Sequence, residues 1–324
     1  MKKVIVTGGS GFIGSHIIGQ LLKKKYRVLN LDKLSFVSQK LEIKNKNYFF
    51  KKINLNNLKK LKSIFKSFKP NYVINCAAES HVDRSIIDPF YFFSNNLEST
   101  INILECVKDT KINLLHVSTD EVFGSLRLGQ KKFSEYTKYD PKSPYAASKA
   151  SSDHAVRSYG ATYKINYKIT NCSNNYGPYQ YPEKLIPVVI KSCINKKIIP
   201  VYGNGSNIRD WIYVEDHCRA IIKVMETGKN RNTYLIGANN ELSNINLVKR
   251  ICKLFDNFNN TKNSEKLIKF VKDRKGHDYR YAIDNSKIIN ELKWQPKINL
   301  EKGLEETIQF YCKNFIKMKN IFPY

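Results

Sequence analysis

The chain has 324 residues, of which 42% are hydrophobic and 26% charged, enough for roughly two domains with real cores, and this excludes a disordered or fibrous chain. No apolar stretch approaches the ~20 residues that cross a bilayer, and glycines at 8, 9, 11 and 14 break the opening apolar run, so neither a membrane span nor a signal peptide is expected. The net charge of +27 comes from lysines spread over the whole length, without a basic stripe or a recognisable reading element. That pattern describes a solvated surface with no specific nucleic-acid partner, although its field would favour an anionic substrate.

Residues 4–7 read as a short apolar strand that runs into glycines and then into an apolar helix through residue 22. Further strands are expected at 27–32, 48–54, 72–78 and 114–118, and a helix from Asp88-Pro89 to about residue 107, with the proline in its first turn. After Pro144 a helix runs to about residue 159, and a strand occupies 167–171. Strands separated by helical stretches imply an α/β fold, a Rossmann-type doubly wound parallel sheet covered on both faces. The segment 178–207, rich in Pro, Tyr and Gly, reads as loop and short helix over that sheet. Residues 241–324 read as a smaller, mostly α portion, with a surface loop at 256–260 and an amphipathic last helix over about 300–318.

Seven scattered cysteines, with no Cys-x-x-Cys pair, suit small buried thiols in a reducing cytosol, so a cytoplasmic location is expected. His217-Cys218 is the only adjacent His/Cys pair, and no metal site is expected.

Thr7-Gly8-Gly9-Ser10-Gly11-Phe12-Ile13-Gly14 follows a strand and opens a helix, and Asp32 ends the next strand. The glycines allow a tight turn and let backbone N–H groups approach a pyrophosphate, which the helix N-terminus also favours. Asp32 is placed to accept from the adenosine ribose hydroxyls and to repel a 2′-phosphate, so the expected cofactor is NAD. Lys33 beside it reads as one more exposed lysine.

In Tyr145-Ala-Ala-Ser-Lys149 the two functional residues share a helix face. The Lys149 ammonium and an oxidised nicotinamide would lower the phenol pKa, so that Tyr145 could take a hydroxyl proton while hydride leaves the same carbon. Thr119-Asp120-Glu121 follows the fifth strand, at the edge where such sheets bind ligands. Two neighbouring carboxyls in a partly dry cleft do not both ionise, which divides them into an acid for a departing hydroxyl and a base for a carbon-bound proton. Oxidation, loss of water and reduction in one site are thereby implied.

These motifs, with Ala-Ala-Glu-Ser-His-Val-Asp-Arg-Ser at 77–85, Ser-Thr-Asp-Glu-Val-Phe-Gly at 118–124, Thr-Asn-Cys-Ser-Asn-Asn-Tyr-Gly-Pro-Tyr at 170–179, Arg-Asp-Trp at 209–211 and Asp-Arg-Lys-Gly-His-Asp at 273–278, resemble the nucleotide-sugar 4,6-dehydratases that act on dTDP-glucose, within the extended short-chain dehydrogenase/reductase superfamily. The resemblance runs from residue 1 to about 310. It implies that Tyr145, helped by Thr119 and Lys149, deprotonates the sugar 4-hydroxyl, that Glu121 takes the C5 proton and that Asp120 protonates the C6 hydroxyl. It places Gly8, Gly11, Phe12, Ile13, Gly14, Asp32, Lys33, Leu34, Ser35, Asn54, Leu55, Ala77, Ala78, Ser80, Asn95, Tyr145, Lys149 and Asn175 around a tightly held NAD. Ser80, Thr119, Asn174, Lys184, Leu185, Pro200, Tyr202, Arg209, Asn244, Asp273 and His277 map to the nucleotide sugar, where the Arg209 guanidinium also suits a diphosphate on its own chemistry. The implied division is an NAD-binding domain over 1–183, to which 210–240 returns, and a nucleotide-sugar domain formed by 184–209 and 241–324. A homodimer is implied, through the helices after Asp88 and Pro144.

Four positions depart from the family pattern: Asn54-Leu55 in place of Asp-Ile, Asn95 in place of Thr, and Phe123 in place of Tyr. None falls on a proposed catalytic atom. The nearest rivals are a UDP-glucose 4,6-dehydratase, a 4-epimerase and a UDP-glucuronate decarboxylase on the same fold. An epimerase has no elimination step and does not need the paired carboxyls. A basic nucleic-acid-binding protein on a retired dehydrogenase fold rests on the charge alone.

Overall fold

A computed structural model describes residues 1–323 of the chain. β1 (Lys3–Thr7) passes through the glycine turn into α1 (Phe12–Lys23), and β2 (Arg27–Asp32) and β3 (Tyr48–Lys52) follow. α2 (Leu58–Phe68) starts where the Asn57 side chain accepts from the Lys60 N–H at 3.0 Å. β4 (Tyr72–Asn75) leads to a short α3 (Val82–Ile87) and then to α4 (Pro89–Phe93), capped by Asp88 through the Tyr91 N–H at 3.1 Å. The single helix expected to run to residue 107 is interrupted: a π turn over Ser94–Glu98 separates α4 from α5 (Ser99–Val107). Asn95 and Asn96 in this turn serve different neighbours. Asn95 Oδ1 accepts from Lys33 Nζ at 2.7 Å, whereas Asn96 Oδ1 accepts from the Glu79 N–H at 2.7 Å and its Nδ2 donates to Ser148 Oγ at 2.8 Å. β5 (Asn113–Thr119), α6 (Pro144–Thr162), with Ser143 as its cap, and β6 (Asn166–Cys172) close the first half.

The second half runs β7 (Asn174–Tyr176), α7 (Leu185–Ile194), β8 (Ile199–Tyr202), β9 (Ile208–Tyr213), α8 (Val214–Thr227), β10 (Asn232–Ile236), β11 (Glu241–Ser243), α9 (Asn244–Asn259), β12 (Ile268–Val271), α10 (Ser286–Leu292) and α11 (Leu300–Asn314). Three expectations are corrected here. Residues 178–207 hold a ten-residue helix and a strand. Pro187 sits in the first turn of α7, where no N–H is needed, and Pro200 lies in a strand paired on one side only. Residues 256–259 are the last turn of α9, whose Val248, Ile251, Cys252 and Phe255 are buried; the polar run ends the helix, and Asn260 caps it at φ 52°. The last long helix stops at Asn314, and a 3₁₀ turn over Phe315–Lys317 intervenes before a final short helix, Met318–Ile321.

β3-β2-β1-β4-β5-β6-β10 form one seven-stranded sheet, parallel at every pairing. Buried residues of α1 and α8, such as Ile17, Leu21, Ile221 and Met225, belong to one core cluster with β1 and β4. Those of α2, α5 and α6, such as Leu61, Phe65, Leu104 and Val156, belong to another. A third core joins α7, α9 and α11 to β8 and β9. Side chains alternate along β9, so that Trp211 and Tyr213 enter this third core while Ile212 enters the first. The strand order reverses between β1 and β4, which leaves a crevice at the carboxyl ends of the strands. Among the described residues, no helix is long and apolar enough to cross a membrane.

Candidate active site

That crevice is a cleft lined by Gly8, Gly11, Phe12, Ile13 and Gly14 from the first turn, by Asp32, Lys33 and Ser35 after β2, and by Asn54, Leu55, Ala77, Ala78, Ser80, Asn95 and Asn175. No side chain caps α1, so its first N–H groups open on the cleft, as a pyrophosphate requires. Gly8 is confined to glycine twice over: its φ is +65°, and a Cβ there would lie 2.7 Å from the Ala77 Cα. The buried Asp32 carboxylate accepts from the Ser10 N–H at 3.0 Å and the Leu34 N–H at 2.8 Å. Leu34 itself does not line the cleft; its contribution is that backbone donor, given from φ 60°. These residues fit a dinucleotide.

Lys33 is not the free surface lysine expected. Its Nζ donates to Glu79 Oε1 and Asn95 Oδ1, both at 2.7 Å, and to Tyr91 OH at 3.0 Å. The ammonium ties β2 to the π turn. Across the mouth, Arg84 stacks 4.0 Å from the Phe36 ring centroid and meets Glu183 at 2.8 Å, and Lys184 Nζ donates to Ser80 O at 2.8 Å.

Thr119, Asp120, Glu121, Tyr145 and Lys149 line the inner end of the same cleft. Thr119 caps a 3₁₀ turn over Asp120–Phe123 by accepting from the Glu121 N–H at 3.3 Å, and this directs both carboxyls from a strand end. Gly124 closes the turn at φ +81°, where a Cβ would lie 2.5 Å from Asp140 O. Asp120 is 2% exposed, and its Oδ2 has no hydrogen-bond partner. Burial first, then Glu121 and Asp210, push its carboxyl well above the usual range, and Arg209 only partly offsets them. Burial also raises Glu121, while Lys184 and Arg209 pull it back. Asp120 is thus the carboxyl pushed further toward its neutral form.

Burial, followed by the Glu121 charge, pushes the Tyr145 phenol well above its ordinary value, and a hydrogen bond with Thr119 opposes this. The depression expected from Lys149 is not delivered by contact. Lys149 Nζ donates to Val117 O at 2.8 Å and stands 3.4 Å from His116 Nε2.

Of the residues mapped to the nucleotide sugar, Ser80, Thr119, Asn174 and Lys184 line the cleft; Leu185, Pro200, Tyr202, Arg209, Asn244, Asp273 and His277 do not. Several of these gather around the β8–β12 pair. His277 Nδ1 is 2.7 Å from Asp273 Oδ1 and its ring meets Tyr202 edge-on at 6.3 Å, while Arg274 crosses to Asp83 at 2.5 Å. Asn244 opens α9 with its Oδ1 buried and unpartnered. Arg209 is buried, with both terminal nitrogens donating to carbonyls: Nη1 to Ile208 at 2.8 Å and Tyr279 at 3.2 Å, Nη2 to Asp278 at 2.8 Å. Its guanidinium stacks 4.1 Å from the Tyr281 ring centroid and acts on the two carboxyls through its charge. The Arg209 guanidinium is thus held by three carbonyls and a ring within reach of the two carboxyls. Sequence reasoning missed Cys76, Glu79, Val117, Cys172, Tyr181 and Glu183, which also line the cleft. The strand ends at 76 and 172 carried a signal in their position alone.

A protein-family model described as GDP-mannose 4,6 dehydratase matches residues 5–307. The dTDP-glucose 4,6-dehydratase of Haemophilus influenzae is 42% identical, over 97% of this chain and 99% of its own. Among solved structures, the dTDP-glucose 4,6-dehydratase of Bacillus anthracis in complex with NAD has a TM-score of 0.88 at 40% identity, covering 97% of each chain. That of Streptomyces venezuelae, also with NAD bound, has a TM-score of 0.91 at 36% identity, covering 96% of this chain and 97% of the other.

Proposed function

The chain belongs to the GDP-mannose 4,6 dehydratase family, and within it we propose dehydration of dTDP-glucose to dTDP-4-keto-6-deoxyglucose and water as its reaction. The observation that carries this reading is Asp120, a buried carboxyl with an unpartnered Oδ2, beside Glu121 and Tyr145 in one cleft. Reversible oxidation alone needs no such acid.

Tyr145, which lines the cleft with Thr119, takes the 4-hydroxyl proton. NAD held in this cleft would supply the hydride acceptor for C4 and the hydride donor for C6, and would be regenerated each cycle. The 4-keto group acidifies C5, Glu121 takes that proton, and C5 is reprotonated once hydride has reached C6. Asp120 gives its proton to the C6 hydroxyl, which leaves as water. The turn, Asp32 and the Lys33–Asn95 side hold the dinucleotide. Residues 1–183 with 210–240 form the NAD-binding unit, and 184–209 with 241–324 hold the nucleotide sugar. Lys184 and the Tyr202–Asp273–His277 group have the chemistry for that role.

Two copies pair through the helices after Asp88 and Pro144, a reading supported by the apolar Phe90 on the first of them, 82% exposed, with the exposed Ile87 just before it. The seven free thiols suit the cytosol. The test is mass spectrometry of dTDP-glucose and UDP-glucose after incubation with the protein. A product lighter by one water is expected, with the higher kcat/KM for dTDP-glucose. Deuterium placed at C4 is expected on the product's methyl carbon, and its absence there would refute the hydride return.

A further inference from the structure

Beneath Tyr145 and Lys149 the sheet carries buried polar groups that the proposed reaction does not use. His116 on β5 has no exposed surface, and its Nδ1 faces Asn75 Nδ2 at 3.1 Å. Asn75 Oδ1 is taken by the Thr7 hydroxyl at 2.7 Å, so the amide nitrogen donates to Nδ1, and the network assigns the proton of the neutral ring to Nε2. That edge meets Asp153 Oδ1 at 3.3 Å on one side and Lys149 Nζ at 3.4 Å on the other. Asp153 lies one helical turn beyond Lys149 on α6 and is also fully buried. Its Oδ2 accepts from Ser118 Oγ and Tyr139 OH, each at 2.8 Å, and from Asn171 Nδ2 at 3.3 Å. Oδ1 makes no polar contact other than this approach of the imidazole. An ammonium and a carboxylate therefore flank one ring, away from water.

We propose that Asp153, acting across the His116 ring, is the counter-ion that keeps the Lys149 ammonium charged, and so is a positioning residue for the oxidation step. This rests on the reading of Lys149 as the partner of the Tyr145 base. An isolated ammonium in a dry interior gives up its proton. Burial lowers Lys149, and Asp153 is the largest opposing influence, ahead of Cys76 after β4 and Cys172 on β6. Both thiols are pushed up by burial, Cys76 to about 12, and stay neutral. Burial likewise holds His116 neutral, at about 4. Asp153 is thus the charged group among those facing the ammonium. Arg157, the nearest rival cation, is separated from it by Tyr139 OH, to which Nη2 donates at 3.1 Å.

Asp153→Asn keeps the shape and removes the charge. Lys149 ionisation is read by NMR of labelled lysine side chains in the full chain, its signal assigned by loss in Lys149→Arg. At an effective interior dielectric of ~20, the Lys149 pKa should fall by about one unit or more. The alkaline limb of kcat should move to lower pH by the same amount, because the lysine now deprotonates earlier, with KM little changed. Melting provides a second test: Asp153→Asn should lower Tm, and Asp153→Asn/Lys149→Met should recover part of the loss, because no unpaired buried charge remains. An unchanged Lys149 pKa, or a double variant that melts no higher than Asp153→Asn, overturns the proposal. A wild type that does not dehydrate dTDP-glucose removes the proposed reaction, yet leaves the titration and melting tests intact.

Discussion

Asp120→Asn separates the elimination from the oxidation. The side chain is 2% exposed and carries no net charge when protonated, so the substitution exchanges one neutral group for another of the same shape. The Thr119 Oγ1 contact with Oδ1, at 3.4 Å, can persist, and Tm should change little. The amide, however, has no proton to give to a departing hydroxyl. Loss of a positioned general acid lowers the rate by about a hundred- to ten-thousand-fold, or about 3–5 kcal/mol of barrier. Tyr145 and Thr119 are untouched, so oxidation at C4 should proceed. Single-turnover measurements of NADH absorbance in the near ultraviolet should therefore show a build-up in Asp120→Asn that decays only slowly, with quenched samples holding 4-keto sugar that still carries its C6 hydroxyl. Wild-type turnover in Asp120→Asn, without any NADH build-up, would refute the acid assignment and the reasoning from burial behind it.

Tyr145→Phe should stop the reaction before any NADH forms, by about a hundredfold or more, because the base for the first proton is gone; the same absorbance assay reads it. Gly8→Ala should lose bound NAD on purification and melt lower, since the substitution meets both a left-handed φ and the Ala77 backbone at 2.7 Å. Acid should destabilise the fold through His217, a fully buried ring with no partner on either nitrogen, whose pKa burial lowers to about 3. Its folded pKa lies below the unfolded value of ~6.5, so the unfolded chain takes the proton first, and stability is lost as pH falls from about 6.5 toward 3. At pH 5 this amounts to about 2 kcal/mol. Thermal melts of His217→Leu at pH 7 and pH 5 should show a smaller drop than the wild type does.

The dinucleotide turn was legible because its parts are contiguous: strand, glycines, helix and Asp32 occupy one stretch of sequence, and a local motif dictates local geometry. The carboxyl pair was legible for the same reason, as a strand end. The resemblance assigned the acid to Asp120, but the physical cause was not legible, because Asp210 lies on β9, some ninety positions away in the chain, and enters only through folding. The setting of Arg209 was not legible either, because the carbonyls of Asp278 and Tyr279 that hold it come from a distant loop. Within 178–207 a short helix was expected and α7 is present, but β8 was missed because Pro200 argues against a strand unless, as here, only one side is paired. Lys33 looked like any of its many neighbours in composition, and only the arrival of Glu79 and Asn95 from two other segments makes it a cross-link.

The π turn at Ser94–Glu98 sets the angular phase of everything that precedes it on the same axis. Removing a single residue there would let the ladder close as ordinary α-helix and swivel α4 by about 100°. Tyr91 and Asn95 would then leave Lys33, while Asn96 could no longer reach Glu79 and Ser148 together. A one-codon deletion far from the reacting carbons would thus unfasten the wall beside Asp32, and a relative lacking this widened turn would have to build that wall from other side chains.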